Sequence, residues 1–366
     1  MPALIAQLHS APGNPDADFP KSPEVHADGR VTFRVIAPGA EKVLLKGAVA
    51  AGENALAPAA DDKGLWEITV GPVEPGLHDY WFDIDGVYTL DPHNRAFKAW
   101  RRSANLVEVP ADPPAAWQLT AVPHGTLHRH AYHSVPLQTE RECFVYTPPG
   151  YEDDPARRYP VLFLLHGSGD DASGWTAVGR AHCIADNLIA AGVAEPLVIV
   201  MPHGHAHRPG VDPDAIEDRA EWYRENDAAM ADDFFRSVVP LVEKTYRLQD
   251  GPDRAAIAGL SMGGGQSLRI GLNHPEKFAW VAGFSSAVPA DEKAAAEQYA
   301  AFDPRAARRR IWIGCGRSDF LLDRNDFFHG WLDAKSVPHE YVLTEGGHAW
   351  PVWRGYLEIW LRGLFR

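Results

Sequence analysis

A serine acts as a strong nucleophile only when its hydroxyl is held clear of its own backbone and within reach of a base. The run Ala255-Ala256-Ile257-Ala258-Gly259-Leu260-Ser261-Met262-Gly263-Gly264 has the pattern for this: a short apolar strand, then G-x-S-x-G, then a helix carrying Gln266, Leu268, Ile270 and Leu272. A sharp strand-to-helix turn exposes the hydroxyl, but it forces the serine into strained backbone angles and draws strand and helix together. Gly259 and Gly263 flank it because side chains there would collide across the turn. The new helix also aims its free N–H groups at the place where an oxyanion would form.

An activated serine needs a base, and the base needs a group that fixes its tautomer. In the sheet that carries such an elbow, these partners follow the serine in the order acid, then histidine. The strand Arg310–Gly314 runs into Cys315-Gly316-Arg317-Ser318-Asp319, which puts Asp319 just past a strand end. Asp323 and Asp326 are the alternative acids, but both fall inside the following helix. The strand His339–Leu343 runs into Thr344-Glu345-Gly346-Gly347-His348, and the two glycines let the loop carrying His348 bend back over the sheet.

A tetrahedral intermediate needs two N–H donors. Met262, after the serine, supplies one. The other belongs to the loop after an early strand, Leu164-Leu165-His166-Gly167-Ser168-Gly169, and is the amide of Gly167 or of Ser168. His166 is expected to hold this loop and take no part in the chemistry. The alternation His203, His205, His207 superficially suggests a metal tract, but without a carboxylate at matching spacing it is expected to form a wall of the active site. His203, Trp222, Trp175 and Trp350 are the candidate substrate-binding residues, Trp222 on a long loop from Pro202 to Asn226. No metal ligand set and no cofactor is implied.

These residues need a scaffold with loops at the C-terminal ends of parallel strands. From about Gly125 onward the sequence supplies it. Tyr159–Leu165 is apolar throughout, as a strand buried on both faces would be. Helix Ala181–Ala191 and strand Leu197–Met201 follow, then a helical apolar pattern from Phe234 to Tyr246, the elbow, and strands near Val281–Phe284, Arg310–Gly314 and His339–Leu343. Residues 126–366 therefore read as an α/β domain. Ahead of it, Val31–Ile36, Lys42–Leu45, Leu65–Val70, Tyr80–Ile84 and Val87–Leu90 are short strands at regular spacing, with a hairpin turn at Asp85-Gly86. Residues 23–110 read as a small β-sandwich and 111–125, with Pro113 and Pro114, as a stiff linker; residues 1–22 read as a loose lead-in.

The chain has 366 residues and a net charge of −14, which argues against nucleic acid or an anionic membrane as a partner. No apolar stretch approaches the length of a membrane span. Cys143, Cys183 and Cys315 are widely spaced with no C-x-x-C, which excludes a disulfide framework or zinc knuckle; one internal disulfide stays open, and buried free thiols are the preferred reading. The N-terminus has no basic segment and too short an apolar run for a signal peptide. The expectation is a cytoplasmic protein, or a secreted or periplasmic one shorn of its leader.

Residues 126–366 resemble the feruloyl and acetylxylan esterases of carbohydrate esterase family one, relatives of esterase D. The resemblance lies in Tyr146-Thr147-Pro148-Pro149-Gly150-Tyr151, His166-Gly167-Ser168-Gly169-Asp170-Asp171, Ala185-Asp186-Asn187-Leu188-Ile189, Gly259–Gly264 and Gly346-Gly347-His348. It implies an α/β-hydrolase fold with Ser261 as nucleophile, His348 as base and Asp319 as acid, acting on a plant cell-wall ester such as ferulate on arabinoxylan. The N-terminal part resembles the Ig-like early-set β-sandwich found ahead of glycogen-debranching and branching enzymes, through Gly64-Leu65-Trp66, Tyr80-Trp81-Phe82, Asp85-Gly86 and Leu90-Asp91-Pro92. That resemblance implies polysaccharide contact through Trp66, Tyr80, Trp81 or Phe82, although the same aromatics suit a core. Siderophore esterases of the enterochelin type join the same two parts and are the rival, with Arg208 and Arg224 as available basic residues. A glycan-binding protein with a relic hydrolase fold, and acyl transfer by the same residues to a sugar in place of water, are the remaining alternatives.

Overall fold

The computed structural model describes residues 20–50, 54–58, 64–99, 101–306 and 308–366, so all but the last three residues of the expected lead-in lie outside the described residues. The chain divides into two compact units, with the boundary between Leu119 and Thr120.

The first unit is a sandwich of two antiparallel sheets. One pairs Glu24–Val25, Val31–Ile36, Leu65–Val70 and Ala57–Pro58; the other is built around Gly76–Ile84, flanked by Val43–Lys46 and Ala104–Val109. Inward residues alternate along the strands, as a half-buried sheet requires. Val31, Phe33, Val35, Val43, Leu45, Tyr80 and Phe82 meet in one core. Two of the four aromatics considered for glycan contact are thus core residues: Phe82 is fully buried, and Tyr80 is buried with its hydroxyl donating to Asp91. Trp66 packs against this core and donates to the Ala37 carbonyl. Trp81 lies stacked on Tyr88, over which Arg102 sits.

The second unit is an eight-stranded sheet: β1 (Thr126–Ser134), β2 (Thr139–Thr147), β3 (Val161–Leu165), β4 (Val198–Pro202), β5 (Ala255–Gly259), β6 (Trp280–Phe284), β7 (Arg310–Gly316) and β8 (Glu340–Thr344). Their order is β1-β2-β4-β3-β5-β6-β7-β8, with β2 antiparallel to both neighbours and every later pairing parallel. This is the α/β-hydrolase arrangement. Every residue of β3, β4 and β6 is buried. Fully burying a side chain such as Leu162 or Leu164 contributes roughly 1.5–3 kcal/mol, so the sheet centre is rigid. The three cysteines are buried free thiols.

Helices α1 (Ala181–Ala190), α2 (Arg219–Asp233), α3 (Val239–Thr245), α4 (Ser261–Asn273), α5 (Glu292–Gln298), α6 (Leu322–Ala334) and α7 (Trp350–Gly363) accompany the sheet. In α7, Trp353, Tyr356, Leu357, Trp360 and Leu361 recur at helical spacing and are buried together. Phe234–Val238 is a π-helical turn joining α2 to α3. Pro240 lacks the N–H that would continue an α-helical ladder, and the wider turn ahead of it takes up the mismatch. The segment Pro202–Asn226 is only partly a loop. Asp218 caps α2 by accepting from the Ala220 amide, which places Trp222 and Tyr223 on a helix.

Asp186 on α1 anchors the start of this unit. Its buried carboxylate accepts from the Tyr146 hydroxyl (2.6 Å) and the Gly125 amide (2.9 Å) and meets His124 Nδ1 at 2.9 Å. A side chain at 125 would strike the Thr147 carbonyl, which accounts for the glycine.

Candidate active site

The ends of β3, β5, β7 and β8 lie along one edge of the sheet, and each is followed by a site loop. Leu165 pairs with Gly259 across β3 and β5, and Gly316 with Thr344 across β7 and β8. Ser261 follows β5 with φ of +53°, a left-handed conformation that L-residues rarely adopt. The turn is as tight as its glycines imply. A Cβ at Gly259 would come within 2.4 Å of the Gly263 carbonyl oxygen, and one at Gly263 within 2.4 Å of the His166 carbonyl oxygen. The Ala287 amide, past β6, donates to the Ser261 carbonyl at 2.8 Å and fixes the strained residue from the other side.

His348 Nε2 lies 2.9 Å from Ser261 Oγ, and its Nδ1 lies 3.0 and 2.9 Å from the two carboxylate oxygens of Asp319. An ionised carboxylate only accepts, so Nδ1 carries the proton and Nε2 offers its lone pair to the serine hydroxyl. Asp319 is buried. Burial pushes its carboxyl upward, but the hydrogen bonds from His348 and the Leu321 amide outweigh that and hold it below the usual carboxylate range. Asp323 and Asp326 lie in α6, and Asp326 is engaged by the Tyr341 hydroxyl, so neither is the partner of His348. Phe320 lies 4.4 Å from the His348 ring and is 75% exposed, while Trp353 meets it edge-on at 4.9 Å.

The loop after β3 is held from beneath. His166 is fully buried; its Nδ1 donates to the Gly167 carbonyl at 2.8 Å and its Nε2 accepts from the Gly204 amide at 2.8 Å. Those two bonds require the neutral ring, and burial pushes its pKa down to about 3. His205 Nε2 accepts from the Gly169 amide at 2.9 Å, and the Tyr223 hydroxyl reaches Ser168 Oγ at 3.3 Å. Gly167 lies directly against the serine: a Cβ there would come within 3.3 Å of Ser261 Cβ. Met262 lies in the first turn of α4, where the amides have no intrahelical acceptor, and Gly167 adjoins the serine from the loop after β3.

Residues 203–206 form the floor of this arrangement. Arg141 donates to the carbonyls of His203 (2.6 Å) and His205 (2.8 Å), and its third bond, at 2.7 Å, goes to the buried Asp233. Tyr132 also donates to Asp233. Asn226 accepts from the Ala206 amide, and Gln266 donates to the Gly204 carbonyl. The His203 ring packs 5.3 Å from His166 and is kept neutral, with burial pushing its pKa down to about 3. Within the histidine run, the His205 ring thus braces the loop after β3, the His203 ring packs on His166, and His207 packs on Trp222.

The aromatic candidates separate. Trp175 has no exposed surface, and its indole donates to the Leu165 carbonyl at 2.9 Å. Its large ring fills the core behind the site and is not a substrate wall. Trp350 is partly exposed and packs edge-on against Trp175 and Trp353. Trp222 is half-buried against His205 and His207.

Comparison with known proteins agrees with this geometry. The family model described as "Putative esterase" matches residues 134–362. The chain belongs to this esterase family. It is a carboxylic ester hydrolase with the α/β-hydrolase fold. The esterase is 29% identical over 350 residues to an endo-1,4-beta-xylanase/feruloyl esterase of Xylanibacter ruminicola, an alignment that covers 94% of this chain and 46% of that protein. It spans about half the length of that relative. Among solved structures, a ferulic acid esterase from Anaeromyces mucronatus superposes with a TM-score of 0.61 at 23% identity, covering 69% of this chain and 96% of that one. The enterobactin esterase of Shigella flexneri superposes with a TM-score of 0.63 at 19% identity, covering 92% of each chain. These two superpositions establish a shared fold.

Sequence reasoning did not find the parts of the esterase that brace the site. Arg141 and Asp233 carry no signal, because one arginine on a strand and one aspartate in a helix are ordinary surface residues by type. Phe320 was findable from its place beside Asp319, and Trp353 from its spacing one turn past the loop that carries His348.

Proposed function

We propose that the protein is a feruloyl esterase that works through Ser261, His348 and Asp319 and a covalent acyl-enzyme. The observation that carries the reading is the chain of hydrogen bonds from Asp319 through His348 to a serine held at φ of +53°. Ser261 Oγ attacks the ester carbonyl as His348 Nε2 takes its proton. The resulting imidazolium keeps its Nδ1–H on Asp319, and its ring stays packed against Phe320 and Trp353. The oxyanion is received by the amide of Met262 and by that of Gly167 or Ser168. His348 returns the proton to the leaving alcohol, and a water activated by the same histidine releases the acid.

The aromatic acyl group follows from two supports. One is the similarity, over most of the chain, to a protein named as a xylanase and feruloyl esterase. The other is the exposed ring of Phe320 beside the base, with Trp350 and Trp222 as further candidates for the acyl and sugar portions. A siderophore esterase would act on an anionic triscatecholate. Arg208, one of the two basic residues available to recognise it, is already paired with Glu225 and Asp232 at 2.9 Å each, within a chain of net charge −14. The sandwich unit is proposed to contact polysaccharide through the outward Trp81 and Tyr88.

Comparing kcat/KM for methyl ferulate, acetylated xylan and enterobactin tests the substrate. Preference for methyl ferulate is expected, and preference for enterobactin would move the assignment to the siderophore esterases. Ser261→Ala is expected to abolish hydrolysis of all three while the circular dichroism spectrum stays that of the parent. Retained turnover would remove Ser261 as nucleophile.

A further inference from the structure

At the opposite ends of the elements that carry the acid and the base, the structure gathers a second set of chemically capable side chains. α6 begins just after Asp319, and β8 ends just before the loop that carries His348. Near the far end of α6, His329 and Asp333 are one helical turn apart on the same face. His339 stands immediately before β8. One ligand atom from each of the three lies within 4.8 Å of the others.

We propose that His329, Asp333 and His339 form a binding site for a divalent first-row transition ion, with Zn2+ as its probe. The hydrogen bonds already present orient the donors. His339 Nδ1 donates to the Val337 carbonyl at 2.8 Å, which fixes the tautomer and turns the Nε2 lone pair outward. A backbone carbonyl in that role is the usual partner of a metal-ligating imidazole. The Nε2 atom lies 2.7 Å from His329 Nδ1, so a proton now occupies the line between two nitrogens that an ion would bridge. Asp333 Oδ2 lies 3.5 Å from the other nitrogen of that ring, His329 Nε2, and stays within the 4.8 Å cluster, to which it brings a negative charge. Tyr341 of β8 stacks on the His329 ring at 4.6 Å and 24°, and its own hydroxyl is tethered to Asp326, which steadies the imidazole.

The donor set selects the ion. Two imidazoles and one carboxylate suit zinc, nickel, copper or cobalt and disfavour magnesium and calcium, which take oxygen ligands. Tetrahedral ligands on zinc stand about 3.4 Å apart, so the side chains need only rotamer-scale movement to close on the ion. His329 and His339 are half-buried and Asp333 is exposed, which leaves the remaining coordination positions to water. The ion would join the end of α6 to the start of the sheet's edge strand. It would therefore stiffen the two elements that present Asp319 and His348 without reaching the reacting atoms.

Titration of chelator-treated protein with ZnCl2 by calorimetry is expected to show one tight equivalent, with a rise in Tm. The variant H329A/H339A is expected to lose at least roughly 100-fold in affinity, because loss of a ligand costs no less than loss of its outer partner. Its hydrolysis of p-nitrophenyl acetate should match that of the parent, which also shows that it is folded. Asp333→Asn should weaken zinc binding by a smaller factor. Cobalt-loaded parent protein should show the visible bands of a low-symmetry site, and the double variant should not. If the parent binds no zinc at micromolar concentration, or the double variant binds it as tightly as the parent, the site does not exist.

Discussion

The two halves of the candidate active site are braced in different ways. The loop proposed to supply oxyanion amides rests on a hydrogen-bonded lattice: His166, His205, Asn226, Gln266 and Arg141 each hold a backbone group in the segments 167–169 and 203–206. The acid–base side has a directional relay, Asp319 to His348 to Ser261, and otherwise the histidine packs against the rings of Phe320 and Trp353. The difference follows from what each half must do. Oxyanion donors have to be in place before charge develops, and a lattice of hydrogen bonds on the backbone gives that rigidity. In the proposed mechanism His348 gains and loses a proton in every cycle. Ring packing tolerates both states, whereas further hydrogen bonds to the imidazole would favour one of them.

The largest effect expected from breaking this comparison is on the acid–base side. Asp319→Asn keeps the shape but donates where the carboxylate accepted, so His348 takes the wrong tautomer. A fall of roughly 10³–10⁴ in kcat/KM is expected for any ester, with the melting profile nearly unchanged. A loss smaller than tenfold would mean that Asp319 does not orient His348.

On the lattice side the expected cost is to the fold. Arg141→Leu leaves Asp233 buried without its cation and frees the carbonyls of His203 and His205. Breaking a buried pair in this way costs about 3–5 kcal/mol, read as a drop in the urea midpoint. An unchanged midpoint would show that the floor of the oxyanion loop is held by something else.

A lattice built on neutral histidines should also be sensitive to acid. His166 and His203 have pKa values pushed down to about 3 in the fold, against 6.5 ordinarily. Below about pH 6.5 the unfolded chain takes up protons that the folded chain refuses, so stability falls as pH drops toward 3 and is unaffected above 6.5. The slope is at most about 1.4 kcal/mol per pH unit for each histidine. Urea melts between pH 7 and pH 4.5 should show it, and His203→Leu should make it shallower. A variant with the parent's slope would remove His203 from the account.

The same division separates what the sequence discloses from what it hides. Ser261, Asp319 and His348 are legible because each follows a strand end, and the strands announce themselves by apolar runs such as Val161–Leu165. The elbow glycines are legible because backbone contact there leaves no space for a Cβ. The lattice is not legible, because its members act across long separations: Arg141 meets Asp233, and His166 meets Gly204. Polar residues on their own carry no periodicity that would point to a partner. The placing of Trp222 on a loop failed for a related reason. The first part of α2 is rich in charge, with Arg219, Glu221, Arg224, Glu225 and Asp227, and has no apolar stripe to mark it as a helix. Trp175 was misplaced because residue type alone cannot distinguish a core indole from a wall indole.

The smallest effect is the one that bears most on the substrate. Phe320 packs on His348 from the solvent side, and its exposure leaves a ring face or edge for a ligand. If it served only to steady the histidine, Phe320→Ala would slow every ester by the same factor. If it also receives an aromatic acyl group, the loss should be selective. A contact between aromatic rings contributes about 0.5–1.5 kcal/mol beyond its buried area, equivalent to roughly two- to twelvefold. We expect kcat/KM for methyl ferulate to fall within that range, mostly through KM, while p-nitrophenyl acetate hydrolysis changes less than twofold. Equal losses on both esters would assign Phe320 to the acid–base half alone, and the feruloyl reading would then rest on the sequence relationship without support from the cleft.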